Sequence, residues 1–111
     1  MLTDKQRIEH MIETADILLQ IMANTTKEEY ASSIEKQFAV KFAFVMLGED
    51  AAQLSDELKN KAPSIPWKQI KATRNIVAHD YNKTDEEILW ETVYSDILPL
   101  RNKLAEIKDS M

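Results

Sequence analysis

The chain has 111 residues, of which 44% are hydrophobic and 30% charged, and its net charge is −5. This length suits one domain, residues 1–111, with a single core, and the composition is too apolar for a disordered chain. One glycine, three prolines and no cysteine exclude a turn-rich β-fold, a disulfide framework and a thiolate metal site. The N-terminus lacks a signal-peptide pattern and no apolar run is long enough to span a membrane, so we expect a cytoplasmic protein without a membrane partner.

The first helix is predicted by its cap and its apolar spacing. Thr3 with Gln6 is typical of a capping box, and apolar residues follow at helical intervals, which predicts a helix over about residues 4–23. Thr26 with Glu29 has the same pattern without a long apolar stripe behind it, so it predicts only a short helical connector.

A long second helix is expected to begin behind Ser32, which forms a capping box with Glu35, and to reach about Asn60. Its core face is predicted from five apolar residues that share one side of the helix. These are Ile34, Phe38, Phe42, Val45 and Ala52.

Two residues of this helix break its pattern. Gly48 stands in the helix interior, where glycine costs about 1 kcal/mol relative to alanine, so we expect another backbone to approach closely there. Glu49 lies at the edge of the apolar stripe, and a carboxylate in that position needs a partner. We expect it to pair with a cation, or with Asn75 or His79, although a solvated Glu49 is an equally reasonable interpretation.

A third helix is predicted to begin at Pro66, which suits the first position of a helix, to run through Ile76 and to loosen near residues 80–82. Thr84 with Glu87 predicts the start of the last helix, in which Pro99 should produce a kink. The apolar residues of this helix repeat at a heptad-like spacing that suits packing within a bundle or a dimer face. They are Trp90, Val93, Ile97, Leu100, Leu104 and Ile107. Together these elements predict an all-α, up-and-down bundle of four main helices plus a short connector.

Only one part of this acidic chain carries a net positive charge. Residues 59–83 carry six basic side chains against the single carboxylate of Asp80, whereas carboxylates outnumber basic side chains on both sides. A local positive field attracts a polyanion even when the whole molecule is acidic. Within this segment we expect Lys68, Lys71 and Lys83 to face such a polyanion, although a solvated lysine-rich helix face would give the same pattern.

The basic segment contains the stretch TRNIVAHDYN, residues 73–82. Asn75 and His79 are four residues apart on the predicted helix and face the same way, and Arg74 lies on a neighbouring side. Histidine exchanges protons near neutral pH, and arginine offers a planar fork that matches phosphate oxygens. These residue types suit phosphodiester cleavage without a metal ion or cofactor, but a helix-end histidine is more often a cap or a surface residue.

The chain resembles the HEPN superfamily and, more closely, its HepT-like branch. Four blocks carry the resemblance: the motif Arg74, Asn75, His79 and Tyr81, the entry IPWKQIKATRNIVAHDY, the segment LGEDAAQLS and the segment ILWETVYSDILPL. The resemblance covers about residues 4–107. It implies a HEPN-like helical bundle that forms homodimers, with two copies of the motif facing each other across the dimer.

The resemblance also implies a function. Members of this branch are metal-independent ribonuclease toxins whose antitoxin is a minimal nucleotidyltransferase that transfers AMP to the motif tyrosine. Carried over here, Arg74 and His79 would be catalytic, Asn75 would support them, and Tyr81 would be the modification site. Lys68, Lys71 and Lys83 would contact the RNA. From its place beside the apolar stripe of its helix, Glu49 is expected to support the site as well. The dimer face is left open between the seam of Trp90, Val93 and Ile97 and the face around Gly48. A non-catalytic module that binds a nucleotidyltransferase, and a plain dimeric bundle without activity, are the alternatives.

Overall fold

The computed structural model describes residues 1–80 and 84–111, and within these ranges it contains helices and no strand. The helices are α1 (Asp4–Met22), α2 (Lys27–Ala31), α3 (Ile34–Gln53), α4 (Asp56–Lys61), α5 (Trp67–His79), α6 (Glu86–Thr92) and α7 (Leu98–Asp109). A π-helical turn, Val93–Ile97, joins α6 to α7 without leaving helical backbone conformation. Four long helical units and two short helices therefore form the all-α bundle that the sequence predicts. Within the described ranges, every helix is too short or too polar to cross a membrane.

The predicted caps at the beginning of the chain are confirmed. Thr3 and Gln6 form both bonds of the capping box, with donor–acceptor distances of 2.9 and 3.1 Å, and α1 begins directly behind Thr3. Thr26 accepts from the backbone N–H of Glu29 at 3.1 Å and opens the short helix α2.

Two predicted caps are wrong by one residue. Ser33 rather than Ser32 caps α3, because Ser32 still belongs to the end of α2 and Ser33 is the residue with extended backbone. Asp85 rather than Thr84 caps α6, because its carboxylate accepts from two backbone N–H groups, at 2.9 and 3.3 Å. In each case the neighbouring residue also has a capping side chain, so local chemistry alone does not select between the two.

The long second helix of the sequence analysis is in fact two helices. α3 ends at Gln53, the backbone of Leu54 is extended, and Ser55 caps α4 by accepting from the N–H of Leu58 at 3.2 Å. Asp4 stabilises this break from α1, since it accepts from both the backbone N–H and the hydroxyl of Ser55, at 3.1 and 2.6 Å. The expectation of one helix to about Asn60 fails because a contact from a distant helix caps the chain there.

The predicted core face of α3 is wrong. Ile34, Phe38 and Phe42 are about two thirds exposed, at 60%, 65% and 64%, and Ala52 is exposed as well. The residues that α3 buries against α1 and α5 lie on another side of the helix. They are Val40, Ala43, Phe44, Leu47 and Ala51. Val45, the remaining residue of the predicted face, is partly buried and packs against the core as expected. Ile34, Phe38 and Phe42 form an apolar strip on the surface of the chain, and together with the adjoining Val45 they are called the α3 stripe below.

The seam of the last helix is buried within the chain. Val93, Ile97 and Leu104 are at most 2% exposed and contribute to the core, in which α1 lies between α3 and α7. This seam is therefore not available as a dimer face, and that option of the sequence analysis is wrong. The expected irregularity at Pro99 takes the form of the π-helical turn that directly precedes it, because Pro99 has no N–H for the carbonyl four residues earlier.

Candidate active site

Helix α5 carries Asn75 and His79 of the sequence motif on its outer side. It packs on α3, buries Val77, and is anchored at its beginning by Trp67, whose indole N–H donates to the carbonyl of Ala62 at 3.1 Å. Four polar residues follow one another along the outer side at helical spacing, and three of them are fully exposed. These four, called the α5 strip below, are Lys68, Lys71, Asn75 and His79.

Arg74 faces α3 rather than solvent. An added Cβ on Gly48 would lie 2.2 Å from the Cβ of Arg74 and 2.4 Å from its Cγ, distances that atoms in contact do not adopt. The glycine therefore lets α5 approach α3 with the aliphatic part of Arg74 in between, and only 17% of this side chain is exposed. The close approach expected at Gly48 is observed, with a side-chain stem rather than a bare backbone as its neighbour.

The guanidinium of Arg74 donates from Nη1 to Glu49, and Glu49 is the residue next to Gly48. The expected pairing of Glu49 with a cation is thus formed, although 57% of the Glu49 side chain is exposed. The Nε–H of Arg74 is buried and has no acceptor among the described residues. Glu49 and Gly48 together fix where the guanidinium reaches the surface.

The described part of the chain brings Arg74 to Glu49 but not to His79. Five helical residues separate the two by about 140° around α5 and about 7.5 Å along it, so they emerge on different sides. Among the described residues, no hydrogen bond joins His79 to Asn75 or to Arg74. Tyr81 and Lys83, which the sequence analysis assigns to modification and RNA contact, lie outside the described residues.

A basic hollow lies at the beginning of the α5 strip. Lys59 of α4 joins Lys68 and Lys71 around a depression of about 190 Å³, which Trp67 and two alanines of α3 also line. The sequence analysis did not assign Lys59 to RNA, and its signal was only its place in the basic segment. The hollow concentrates three ammonium groups where the α5 strip begins.

A second polar cluster, on α1 and α3, was missed from the sequence. Asp50 is 4% exposed, accepts from Nη1 of Arg7 at 3.1 Å and contacts Nδ1 of His10. His10, the other histidine of the chain, thus belongs to a polar cluster around a nearly buried carboxylate. The available signal was the spacing of Arg7 and His10 on one side of α1. The cluster joins α1 to α3 at the residue that follows Glu49.

Polar contacts also join α2 and α3 to the beginning of α6. Glu86, the first residue of α6, accepts from the hydroxyl of Tyr30 at 2.8 Å and pairs with Nζ of Lys41 at 2.9 Å. Burial, reinforced by the hydrogen bond to Glu86, raises the pKa of the Tyr30 phenol well above its usual range.

Residues 1–80 and 84–111 contain no group of three or more metal-binding side chains close enough to hold a metal ion.

Comparison with known proteins finds a family model and relatives whose descriptions name ribonucleases. The family model described as "Ribonuclease HepT-like" matches residues 11–107, which include α3 and α5. A protein of Thermococcus cleftensis named "Probable ribonuclease HepT" is 27% identical over 94% of this chain and 94% of its own. Two provisionally named RNases are similar as well: one of Caldanaerobacter subterraneus, 25% identical over 96% of both chains, and one of Methanocaldococcus jannaschii, 24% identical over 85% and 86%. No solved structure matches the chain.

Proposed function

We propose, from the premise that the chain belongs to the HepT-like ribonuclease family, that it is an endoribonuclease that cleaves RNA without a metal ion or cofactor. The observation that carries the proposal is the α5 strip. Two lysines stand at its beginning, Asn75 follows them, and the exposed His79 stands at its end. An RNA backbone that follows the strip meets ammonium groups at Lys68 and Lys71 and then the imidazole. Lys83 would extend this path beyond α5.

The proposed reaction uses the RNA's own 2′-hydroxyl as the nucleophile. The 2′-oxygen attacks the adjacent phosphorus, the bond from phosphorus to the 5′-oxygen breaks, and the products are a 2′,3′-cyclic phosphate and a 5′-hydroxyl. His79 either takes the proton of the 2′-hydroxyl as base or gives a proton to the leaving 5′-oxygen as acid, and water makes the other transfer. Asn75 supports His79 on the same side of the helix. Arg74 stabilises the charge that develops on the phosphorane, and Glu49 positions its guanidinium.

A second copy of the chain would complete the site. Within one chain Arg74 and His79 emerge on different sides of α5, so a single copy does not hold both against one phosphate. The α3 stripe offers a face for the second copy, because Glu49 continues the line of Val45 along α3 and joins it to Arg74. In a homodimer built on this stripe, the two motifs lie at the border of the interface.

We further propose that the protein is the toxin of a toxin–antitoxin pair. The cognate antitoxin would be a nucleotidyltransferase that transfers AMP to Tyr81. This part rests on the family resemblance and on the position of Tyr81 two residues after His79. Incubation with ATP and the nucleotidyltransferase encoded by the neighbouring gene should add the mass of AMP to wild type and not to Tyr81→Phe. Equal modification of both proteins would contradict this assignment.

The ribonuclease proposal is tested by digestion of a single-stranded RNA in EDTA. Wild type should cleave it, and His79→Ala should be slower by about 100-fold or more, the usual contribution of a general acid or base. His10→Ala is the matched control, because it removes the other histidine of the chain and should retain cleavage. Activity that disappears in EDTA and returns with a divalent ion would contradict the proposed mechanism.

A second candidate function is a non-catalytic module that binds a nucleotidyltransferase. The ion pair between Arg74 and Glu49 favours it, because a largely buried, paired arginine also suits a purely structural role. The same digestion separates the two functions. A protein that forms a complex with the nucleotidyltransferase but leaves RNA intact, with equal results for wild type and His79→Ala, would support the second.

A further inference from the structure

A cavity of about 390 Å³ opens between α5 and the irregular part of the last helix. Its floor is apolar and includes Phe44, Ile70 and Ile97, whereas Gln69, Thr73 and Asp96 bring polar groups to it. This size and lining are those of a small-molecule site, which is apolar with a few polar groups that fix orientation. Of the residues assigned above to catalysis and RNA contact, those that the structure describes do not line it.

The π-helical turn helps to form this cavity. The residues Thr92, Asp96 and Ile97, which belong to the turn or adjoin it, face the opening, as does Pro99. A π-helical turn is rare in proteins and is frequently found at functional sites. A regular α-helix through these residues would rotate their side chains relative to α5.

The cavity and the α5 strip share one helix. Ala72 and Ile76 line the cavity, and Asn75 and His79 each follow one of them at a helical spacing of three residues. Side chains at such spacings are surface neighbours, with Cβ atoms about 5–6 Å apart. A group that enters the cavity past Ile76 therefore lies within one helical turn of His79.

We propose that this cavity binds a nucleobase of the RNA strand next to the phosphate at His79. The inference rests on the proposed ribonuclease function, since it assigns the cavity to the substrate. A nucleobase has a flat apolar body and a polar edge, which match the apolar floor and the amide, hydroxyl and carboxylate of Gln69, Thr73 and Asp96. Single-stranded RNA offers such bases, because they can leave the stack and be bound on their edges.

Charge and shape favour a base over the other parts of RNA. Two charged side chains line the cavity, Asp96 and Lys103, and Lys103 already donates to the carbonyl of Ser64 at 3.0 Å. In the cavity, a phosphate would meet the carboxylate of Asp96 and an apolar floor. On the α5 strip it would meet exposed lysines instead. A base in the cavity and a phosphate on the strip would make the strand cross α5 at His79.

Isoleucine methyl signals in NMR spectra test this directly on the intact chain. Ile70, Ile76 and Ile97 line the cavity, and the exposed residues Ile17 and Ile88 lie outside it. Titration with AMP and with CMP should shift the three lining methyls saturably and leave the two others in place. Ribose 5-phosphate, which lacks the base, should not shift them. Equal shifts with ribose 5-phosphate, or no shifts with either nucleotide, would overturn the inference.

Two variants extend the test. Ile76→Trp should fill the opening, weaken AMP binding at least about 10-fold and raise KM for RNA more than it lowers kcat, whereas Ile88→Trp should change neither. RNA cleavage by wild type without nucleotide-induced shifts would overturn this inference and leave the ribonuclease proposal standing. Shifts in a protein that cleaves no RNA would overturn both the ribonuclease proposal and the assignment to a substrate base. Methyl shifts that follow protein concentration alone would show that a second copy covers the cavity, and the inference would be wrong.

Discussion

Arg74 is held by α3 from two sides, with its stem against Gly48 and its guanidinium on Glu49. An arginine that binds phosphate through a planar fork loses less conformational freedom when its stem is already fixed. The ion pair therefore matters more for the direction of the guanidinium than for stability, because 57% of the Glu49 side chain is exposed. Removing Glu49 should separate these two effects.

We expect Glu49→Ala to change the free energy of unfolding by less than about 1 kcal/mol, as is usual for exposed ion pairs. The same change should lower cleavage of RNA by roughly 10-fold, since a guanidinium without its partner is held less accurately. Urea unfolding and steady-state cleavage measure the two effects. Glu57→Ala is the control, because it breaks the exposed pair with Lys61 far from the motif. Equal cleavage by the two variants would contradict a positioning role.

Tyr30 links stability to pH. Its pKa is raised by burial and by the hydrogen bond to Glu86, so the folded state favours the neutral phenol. This contribution is complete below the unfolded pKa of about 10 and is lost as the pH rises above it. The hydrogen bond to Glu87 raises the pKa of Lys27, so the loss of the Lys27 proton also lowers stability as the pH rises. A Tyr30 variant retains this second effect.

We expect Tyr30→Phe to be about 1–2 kcal/mol less stable than wild type at neutral pH, because a hydrogen bond to a carboxylate is lost. This difference should narrow above about pH 10, where only wild type has the Tyr30 phenol to ionise. Urea unfolding of both proteins across this range measures the difference. A constant difference through alkaline pH would show that Tyr30 does not cause the pH dependence.

At the scale of helices, the sequence predicted what depends on local chemistry. The capping box of Thr3 and Gln6 and the start of α2 depend on residues within one turn, and both are correct. The core face of α3 does not, because this helix is apolar on two sides. From the sequence alone, Phe38 and Phe44 are equally good candidates for the core. Phe44 is the buried one because α1 and α5 pack on its side of α3.

The candidate site divides in the same way. The side-by-side placement of Asn75 and His79 follows from helical spacing alone, and it was predicted. The two contacts of Arg74 on α3 were only half predicted, since they depend on how α5 crosses α3. The cluster of Asp50 with His10 spans forty residues, and the spacing of Arg7 and His10 on α1 does not indicate Asp50 as their partner.

The contact between Gly48 and Arg74 makes a prediction for α3 itself. Alanine at position 48 should favour the helix by about 1 kcal/mol relative to glycine. Its Cβ, however, would overlap the Cβ and Cγ of Arg74. The net result should be a loss of about 1–3 kcal/mol, the usual cost of overpacking, together with reduced cleavage. Ala52→Gly on the exposed side of α3 measures the propensity effect alone. A Gly48→Ala protein more stable than wild type would show that α5 does not approach α3 this closely.

At the scale of the whole molecule, the α3 stripe and the α5 strip border each other at the pair of Glu49 and Arg74. Three large apolar residues in a row on one exposed helix face are unusual for a surface that stays in water. We proposed above that a second copy covers them. A two-fold interface of this kind presents the same stripe from both copies.

We expect Phe38→Asp and Phe42→Asp to be monomers in sedimentation experiments at concentrations where wild type is a dimer. Both side chains are about two thirds exposed in the single chain, so helix content should be retained. Ile88→Asp removes an equally exposed apolar residue of α6, outside the stripe, and should remain dimeric. Variants that sediment as wild type does would place the interface elsewhere.

The most direct test of a site built from Arg74 and His79 of two copies is a mixture of two inactive variants. Arg74→Ala and His79→Ala should each cleave RNA at least about 100-fold more slowly than wild type. After mixing under conditions that exchange subunits, half of the dimers combine both variants, and one of their two sites regains both residues. The mixture should therefore recover about one quarter of wild-type activity. A mixture as inactive as its components, in which mixed dimers are shown to form, would contradict a site shared between two copies.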